Sequence, residues 1–154
     1  MSFSFRGESA LTGLRALAAH FRRGVLGGGH AAVQLIVKRA QTGIRSGPHT
    51  GAVYTTYFRT NTLTGNVFPV GSRPAHQAGA PGEYSANDTG DLAGSIGGSN
   101  SVFQMRVFAT SPHAGYQEFG TSKMGARPNV QNAIRDTLPQ VEQVLGQWIW
   151  REIA

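Results

Sequence analysis

Hydrophobic side chains recur every three or four residues in the N-terminal third of the chain, which is the spacing of an amphipathic helix. One apolar stripe runs over residues 11 to 21 and a second over residues 33 to 44. Three consecutive glycines at 27 to 29 separate the stripes, and Gly47 and Pro48 follow the second. Because glycine and proline disfavour helix interiors, the pattern predicts two N-terminal helices, one on each side of the glycines.

The middle of the chain predicts a small sheet with a long loop. Residues 51 to 60 are rich in β-branched and aromatic side chains, which favours a strand, and a turn at 64 to 66 leads into a second strand at 67 to 70. Residues 101 to 109 alternate apolar and polar side chains, as expected of a strand with one buried face. Residues 71 to 98 show little periodicity, so we expect a long loop of a kind that is often functional or disordered.

An apolar stripe from residue 130 to 149 predicts a C-terminal helix that begins near Arg127 and Pro128, because proline suits the first turn of a helix. Pro139 is expected to kink or divide this helix, since it lacks the N–H that a helix interior needs. These elements predict one α+β domain over residues 1 to 154. It would contain two N-terminal helices, a small, mainly antiparallel sheet, and a C-terminal helix packed on the sheet.

Composition narrows the class of protein. Charged residues make up 14% of the 154 residues, which does not favour a charge-rich disordered chain. The chain has no cysteine, which excludes disulfides, thiolate metal ligands and a cysteine nucleophile. No stretch approaches the ~20 consecutive apolar residues of a membrane span, and the chain does not open on a basic segment followed by an apolar one. We therefore expect a soluble protein that is not secreted and has no membrane partner.

Positive charge is concentrated near the N-terminus. The net charge is +6, from 14 Lys and Arg against 8 Asp and Glu, and most of the excess lies in residues 1 to 50. Such a surface suits a polyanion, because binding releases condensed counterions, although basic helix faces are commonly only solvated. The candidates for contact with DNA are Arg22, Arg23, Lys38 and Arg39.

Catalytic motifs are weak. Ser95 departs from the Gly-x-Ser-x-Gly nucleophile elbow at its first position and lacks the strand and helix that the elbow needs. Glu83, Asp88 and Asp91 offer carboxylates for acid–base chemistry, but acids in loops more often cap turns. No two of the five histidines have the zinc-binding spacing of four residues. We expect no metal, no cofactor and no enzyme activity, with a small serine hydrolase or a free nucleic-acid-binding protein as alternatives.

Two segments, residues 76 to 96 and 114 to 128, carry the most specific patterns. The first contains Thr-Gly-Asp-Leu-Ala-Gly-Ser-Ile at 89 to 96, and the second contains Tyr-Gln-Glu-Phe-Gly-Thr at 116 to 121. In order and spacing they resemble the small neck or tail-completion proteins, which join head and tail, of long-tailed double-stranded DNA phages. The matching positions are Ala80, Pro81, Gly82, Glu83, Asp88, Thr89, Gly90, Leu92, Ser95, Ile96, Tyr116, Glu118, Phe119, Gly120, Thr121, Met124, Arg127 and Pro128.

The resemblance spans roughly residues 30 to 140, with departures at His113, where the family commonly has Tyr, and at Asn129, where it has an aromatic residue. It implies a virion structural protein of the neck or tail end that is present in the host cytoplasm during assembly. Copies would form a ring, of about six or twelve, around the DNA channel. The other partners would be the neighbouring head-connector and tail-tube proteins, with non-specific contact to genomic DNA at the four basic candidates.

The residues expected to fix turns or contact other subunits come from the same two segments. Gly90 and Gly120 suit backbone angles that other residues rarely adopt. Glu118 is expected to accept backbone amides or to pair with Arg127. An intramolecular turn and a direct subunit contact both stay open, and in a ring the loop 71 to 98 would suit one contact and the segment 114 to 128 another. The full set is Glu83, Thr89, Gly90, Tyr116, Glu118, Phe119, Gly120, Thr121, Arg127 and Pro128.

Overall fold

Two long helices and two small antiparallel sheets dominate the computed structural model, which describes residues 7 to 154 except for the side chains of residues 7 to 9, 57, 58 and 73. The α+β class agrees with the prediction. The elements in chain order are α1 (Gly7–Ser46), β1 (Val53–Thr60), β2 (Val67–Gln77), α2 (Asp91–Gly94), β3 (Ile96–Asn100), β4 (Met105–Ala109), α3 (Ala114–Phe119) and α4 (Asn129–Ile153).

Helix α1 is a single helix of 40 residues, so the prediction of two N-terminal helices is wrong. At ~1.5 Å per residue it is about 60 Å long. The glycines expected to break it lie where α4 crosses. A Cβ atom added at Gly27 would lie 2.5 Å from the ring of Trp148, and one at Gly28 would lie 3.1 Å from the Cβ of Trp148. The glycines therefore allow the two helices to approach closely, and this packing outweighs their cost of ~1 kcal/mol each in a helix interior.

Helix α4 packs antiparallel along α1, and the prediction that it packs on the sheet is wrong. Gly24 lies against Ile149 near one end of the pair, and Arg39 bonds to Asp136 nearer the other. The β3–β4 sheet and α2 pack on a different face of α1. The core therefore surrounds the C-terminal half of α1, and its buried apolar members are Ala32, Val33, Ile36, Val37, Ala40, Ile44, Tyr84, Ala93, Ile96, Ala133 and Val141.

The N-terminal part of α1 extends beyond α4. Glu152, next to the last residue of α4, lies 3.9 Å from His20 and 3.0 Å from Arg23, so roughly the first three and a half turns of α1 extend past this contact. The stripe predicted over residues 11 to 21 is consequently exposed, with Leu14 at 63% and Phe21 at 49%. The amphipathic pattern thus predicted the helix correctly, but it did not show whether another element covers the apolar side of the helix.

Helix α4 runs continuously through Pro139, so the predicted division of the C-terminal helix is wrong. Ala133, Thr137 and Val141 are buried at spacings of four residues on both sides of the proline. Ile134 and Leu138, which belong to the predicted stripe, are 41% and 49% exposed. Packing along α1 on both sides of Pro139 keeps the helix intact although the proline contributes no backbone donor.

The described strands form two separate two-stranded antiparallel sheets. Strand β1 confirms the predicted strand at 51 to 60, and the turn at 64 to 66 is confirmed with Gly65 at a φ of 70°. Strand β2 extends to Gln77, well past the predicted end at residue 70. Proline is compatible with this strand because β2 pairs on one side only.

The predicted loop from 71 to 98 is largely wrong, because its two ends belong to β2 and to α2 and β3. An irregular connection is left at residues 78 to 90. The predicted strand at 101 to 109 also shortens to β4, since Ser101 N–H donates to the Gln104 carbonyl (2.7 Å) in a turn. Phe103, one of the apolar positions in the predicted alternation, lies in that turn and is 97% exposed.

Candidate functional site

The carboxylate of Glu118 caps the N-terminus of α4 from a distance in sequence. Its Oε2 accepts the backbone N–H groups of Asn129 (2.7 Å) and Val130 (3.1 Å), and its Oε1 accepts that of Gln131 (2.9 Å). First-turn amides have no partner inside their own helix, and a negative charge is favourable at the positive end of the helix dipole. Pro128, which directly precedes α4, makes no side-chain cap. Helix α3 thereby supplies the cap that the local sequence lacks.

Arg127 has a different partner from the one predicted. The expectation that Glu118 accepts backbone amides is confirmed, but the alternative pairing of Glu118 with Arg127 is not found. The guanidinium Nε of Arg127 donates to the Gly79 carbonyl, and its backbone N–H donates to the Gln117 carbonyl (2.7 Å). Arg127 therefore ties the connection at 78 to 90 to the segment that enters α4.

A buried polar contact joins this connection to α4. Asn129 and Ser85 are 3% and 2% exposed. The backbone N–H of Ser85 donates to Asn129 Oδ1 (2.8 Å), Asn129 Nδ2 donates to Ser85 Oγ (3.0 Å), and that hydroxyl donates to Gln117 Oε1 (3.0 Å). Buried polar groups need such partners. Asn129 thus docks α4 onto the connection through hydrogen bonds.

Glu83 fixes the other end of the same connection. Its Oε1 accepts the hydroxyl of Thr50 (2.6 Å), and its Oε2 accepts the backbone N–H groups of Thr50 (2.9 Å) and Ala80 (2.8 Å). These hydrogen bonds, first that of the Thr50 hydroxyl, lower the pKa of Glu83 to about 2. A carboxylate held ionised in this way is a poor proton donor near neutral pH. We call Glu83, Ser85, Gln117, Glu118 and Asn129 the polar junction.

Thr89 and Gly90 form the turn that enters α2. The hydroxyl of Thr89 donates to Asp91 Oδ2 (2.7 Å). Gly90 directly precedes the helix with a φ of 92°, a conformation that side chains with a Cβ rarely adopt. The expectation of an unusual backbone angle at Gly90 is confirmed, and both residues have roles within the chain.

The segment 116 to 124 forms a second turn. Gly120 ends α3 with a φ of 74°, as expected, and its N–H donates to the Tyr116 carbonyl (2.9 Å). Thr121 N–H donates to the Met124 carbonyl (2.8 Å), which closes a tight turn. Tyr116 and Phe119 are 60% and 76% exposed, so the aromatic side chains of this motif project from the surface.

An apolar groove of about 370 Å³ lies beside the junction. It is open to solvent and runs between the β3–β4 sheet, α3 and the first turn of α4. A separate cleft of about 330 Å³ contains Asp88, Asp91 and His113, and Leu92 lines both. The carboxylate of Glu118 borders the groove with its oxygens already bonded to α4. The apolar lining residues are Leu92, Ile96, Val107, Ala109, Ala114, Phe119 and Val130.

Two of the four basic candidates for DNA contact are engaged in ion pairs with α4. Arg23 Nε lies 3.0 Å from Glu152 Oε2, and Arg39 Nη2 lies 2.6 Å from Asp136 Oδ2. The guanidinium of Arg39 also lies 5.3 Å from the centre of the Tyr84 ring. Both arginines therefore help to hold the two long helices together.

Tyr84 and Asp136 complete the cluster around Arg39. The hydroxyl of Tyr84 donates to Asp136 Oδ2 (2.8 Å), and burial together with this bond raises the pKa of Tyr84 to about 12. Burial opposes ionisation of Asp136, but the hydrogen bonds from Arg39 and Tyr84 outweigh it and lower the pKa of the carboxyl group. The cluster is consequently a structural contact in which Asp136 and Arg39 are both ionised.

The other two basic candidates do not share a face. Arg22 and Lys38 are exposed, and they are 16 positions apart on one helix. At about 100° per residue, their side chains point roughly 160° apart around the axis. The four basic positions that the sequence grouped together are therefore distributed around α1.

Ser95 lies in a structural turn. Its Oγ donates to the Leu92 carbonyl (2.8 Å), and its own carbonyl accepts the backbone N–H of Thr110 (3.1 Å). Among the residues that the structure describes, no histidine is hydrogen-bonded to Ser95. The geometry that a serine nucleophile needs, with a base in contact with Oγ, is not assembled in this arrangement.

Comparisons with known proteins give no family assignment. No protein-family model, no curated protein and no solved structure matches the chain. Within residues 7 to 154, no group of three or more histidine and acidic residues is arranged to hold a metal ion. In the same part of the chain, no helix has the length and apolar character needed to cross a membrane.

Proposed function

We propose that this protein is a structural component of a phage virion, located at the neck or tail end, where copies form a ring that joins head and tail around the DNA channel. The proposal rests on the resemblance of residues 76 to 96 and 114 to 128 to neck and tail-completion proteins. It involves no catalysis, metal or cofactor.

One observation carries the proposal beyond the resemblance. The polar side chains of the two motif segments bond to backbone groups and to each other, so they fix the geometry of the chain. Glu118 caps α4, Arg127 binds the Gly79 carbonyl, and Glu83 binds amides at residues 50 and 80. Such an arrangement suits a structural protein, because these three charged side chains are committed to holding a shape.

Assembly is supported by two apolar surfaces near opposite ends of α1. One is the uncovered stripe of α1, which includes Leu11, Leu14 and Leu17 at 53% to 63% exposure. The other is the β1–β2 hairpin, where Val67 and Val70 are 63% and 52% exposed. Contiguous apolar patches on a soluble chain commonly mark contact surfaces. A ring requires two different contact surfaces on each subunit.

Contact with DNA is proposed for Arg22 or Lys38 rather than for all four candidates, because Arg23 and Arg39 are paired with acids. Since these two side chains point to different sides of α1, only one of them faces the channel in any one ring. Arg22→Gln and Lys38→Gln variants, measured for duplex binding as a function of salt, are expected to differ, and only the channel variant should reduce the salt dependence. Equal, unreduced salt dependence in both variants would reject a DNA-lining role.

The test of the ring is negative-stain electron microscopy of the purified chain at high concentration, alone and after addition of tail tubes or head connectors. We expect rings with an axial hole, alone or on the added particles. A chain that stays dispersed in all three mixtures would contradict the proposed function. The next experiment would then compare the hydrolase activity of the wild type with that of Ser95→Ala.

A further inference from the structure

The β1–β2 hairpin, residues 53 to 77, which we call the arm, is exposed along most of its length. Every residue from 59 to 72 is exposed, and Leu63 at its tip is 94% exposed. The extensive contacts of its two strands are with each other. The large apolar side chains that it presents to solvent are Val53, Tyr54, Leu63, Val67, Phe68 and Val70.

The arm is preformed although it lacks a core. Its strands pair antiparallel from Val53 opposite Gln77 to Thr60 opposite Val67, with register shifts between Tyr54 and Thr56 and between Tyr57 and Phe58. At the tip, Asn61 Oδ1 accepts the backbone N–H groups of Leu63 (2.9 Å) and Thr64 (3.1 Å), which orders the turn. A two-stranded hairpin alone in water is marginally stable and has two free hydrogen-bonding edges. Apolar side chains on such an arm favour docking onto another surface.

The groove beside the polar junction offers a matching surface. It is lined by apolar side chains from β3, β4, α3 and α4 and is open to solvent. Strand β4 pairs only with β3 among the described strands, so its other edge has no strand partner. An added strand at that edge would extend the sheet and bring side chains on one of its faces alongside Val107 and Ala109. The groove therefore has both features that an apolar hairpin requires.

We infer that the arm of one copy docks in the groove of a second copy of this chain. Each chain has one uncovered arm and one unfilled groove. The arm of each copy can therefore bind the groove of the next copy, in a head-to-tail contact of the kind that closes a ring. The arm contains 25 residues, comparable with the ~20 to 30 residues on one side of a standard interface, and the 11 residues that line the groove would contact part of it. The inference rests on the proposed ring and names the contact that builds it.

The contact between arm and groove is tested by cysteine cross-linking. The reaction is specific to the introduced positions because the chain has no cysteine of its own. One variant carries Leu63→Cys on the arm, and a second, with a size tag, carries Phe119→Cys at the groove. When the two are mixed and treated with a short bismaleimide, we expect a cross-linked heterodimer. The control replaces the groove variant by Trp150→Cys, an equally accessible position on α4 outside the groove, and should give little product.

The energetics are tested with Val67→Thr and Val70→Thr together, because threonine keeps the branched shape and the strand preference but opposes burial. We expect about tenfold weaker self-association in sedimentation, with an unchanged circular dichroism spectrum. Thr62→Ser at the tip is the matched control. The inference would be overturned if the wild type forms rings but gives no arm-to-groove cross-link. It would also be overturned if the wild type forms rings and the double variant associates as strongly as the wild type. In both cases the proposed ring would stand. Absence of wild-type rings, alone and on added particles, would instead contradict the proposed function.

Discussion

At the polar junction, buried hydrogen-bonding groups find partners within the same chain, whereas along the arm the apolar side chains are largely exposed to water. Asn129 and Ser85 are almost fully buried and bonded to each other, while Leu63 and Val67 are mostly exposed. A buried polar group without a partner is costly, so the junction is specified by folding. An exposed apolar group costs little in the monomer. Folding of the monomer therefore does not require the apolar side chains of the arm to be covered, and assembly can decide what covers them.

The comparison also explains why the motif residues occupy the positions they do. The junction holds α3, α4 and the connection 78 to 90 in one arrangement, and two of these elements, α3 and α4, line the groove together with α2 and the β3–β4 sheet. The motifs therefore determine the shape of a contact surface without themselves forming all of it. Glu118 is the motif residue that belongs to both, because its carboxylate caps α4 and its side chain borders the groove.

The largest effect is expected for Asn129→Leu, which removes the partners of the buried Ser85 N–H. We expect a loss of about 3 kcal/mol in the free energy of unfolding, because a buried donor is left unsatisfied. Chemical denaturation of the monomer measures it. The arm variant Val67→Thr with Val70→Thr should change the same quantity by less than about 0.5 kcal/mol. Similar losses in the two variants would break the distinction between junction and arm.

A smaller effect is expected for Glu118→Ala, which removes the cap of α4. The expected loss is about 1 to 2 kcal/mol, the usual value of an N-cap. Assembly should weaken only as far as the stability does, and the control Glu142→Ala, on an exposed part of α4, should change neither. Impaired assembly with unchanged thermal stability would show that the junction is itself a subunit contact.

The smallest effect is expected for Glu83→Gln and concerns pH. Because hydrogen bonds lower the pKa of Glu83 in the folded chain to about 2, its contribution to stability is present above the ordinary pKa of about 4.5. That contribution is lost as the pH falls from about 4.5 towards 2. The melting temperature of Glu83→Gln should therefore be lower than that of the wild type at pH 6, and the difference should shrink at pH 3. A difference independent of pH would indicate that the amide loses packing rather than charge.

Local chemistry allowed several parts of the fold to be predicted from the sequence. The strand at 53 to 60, the turn at Gly65, the C-terminal helix and the backbone angles of Gly90 and Gly120 all depend on neighbouring residues. The acceptance of amides by Glu118 was predicted from its position beside a turn. The role of Asn129 was not, because nothing in the sequence distinguishes an asparagine that is buried against Ser85 from one that is solvated.

The sequence by itself therefore determined the α+β class, the amphipathic stripes and the turn geometry, since these follow from interactions within a few residues. Only the tertiary structure decided whether each stripe is covered and which charges are free. Gly27 continues a helix because Trp148 packs on it, and Arg39 is paired because α4 brings Asp136 to it, 97 residues away. Such partners are brought together by the packing of distant elements, which local propensity does not encode.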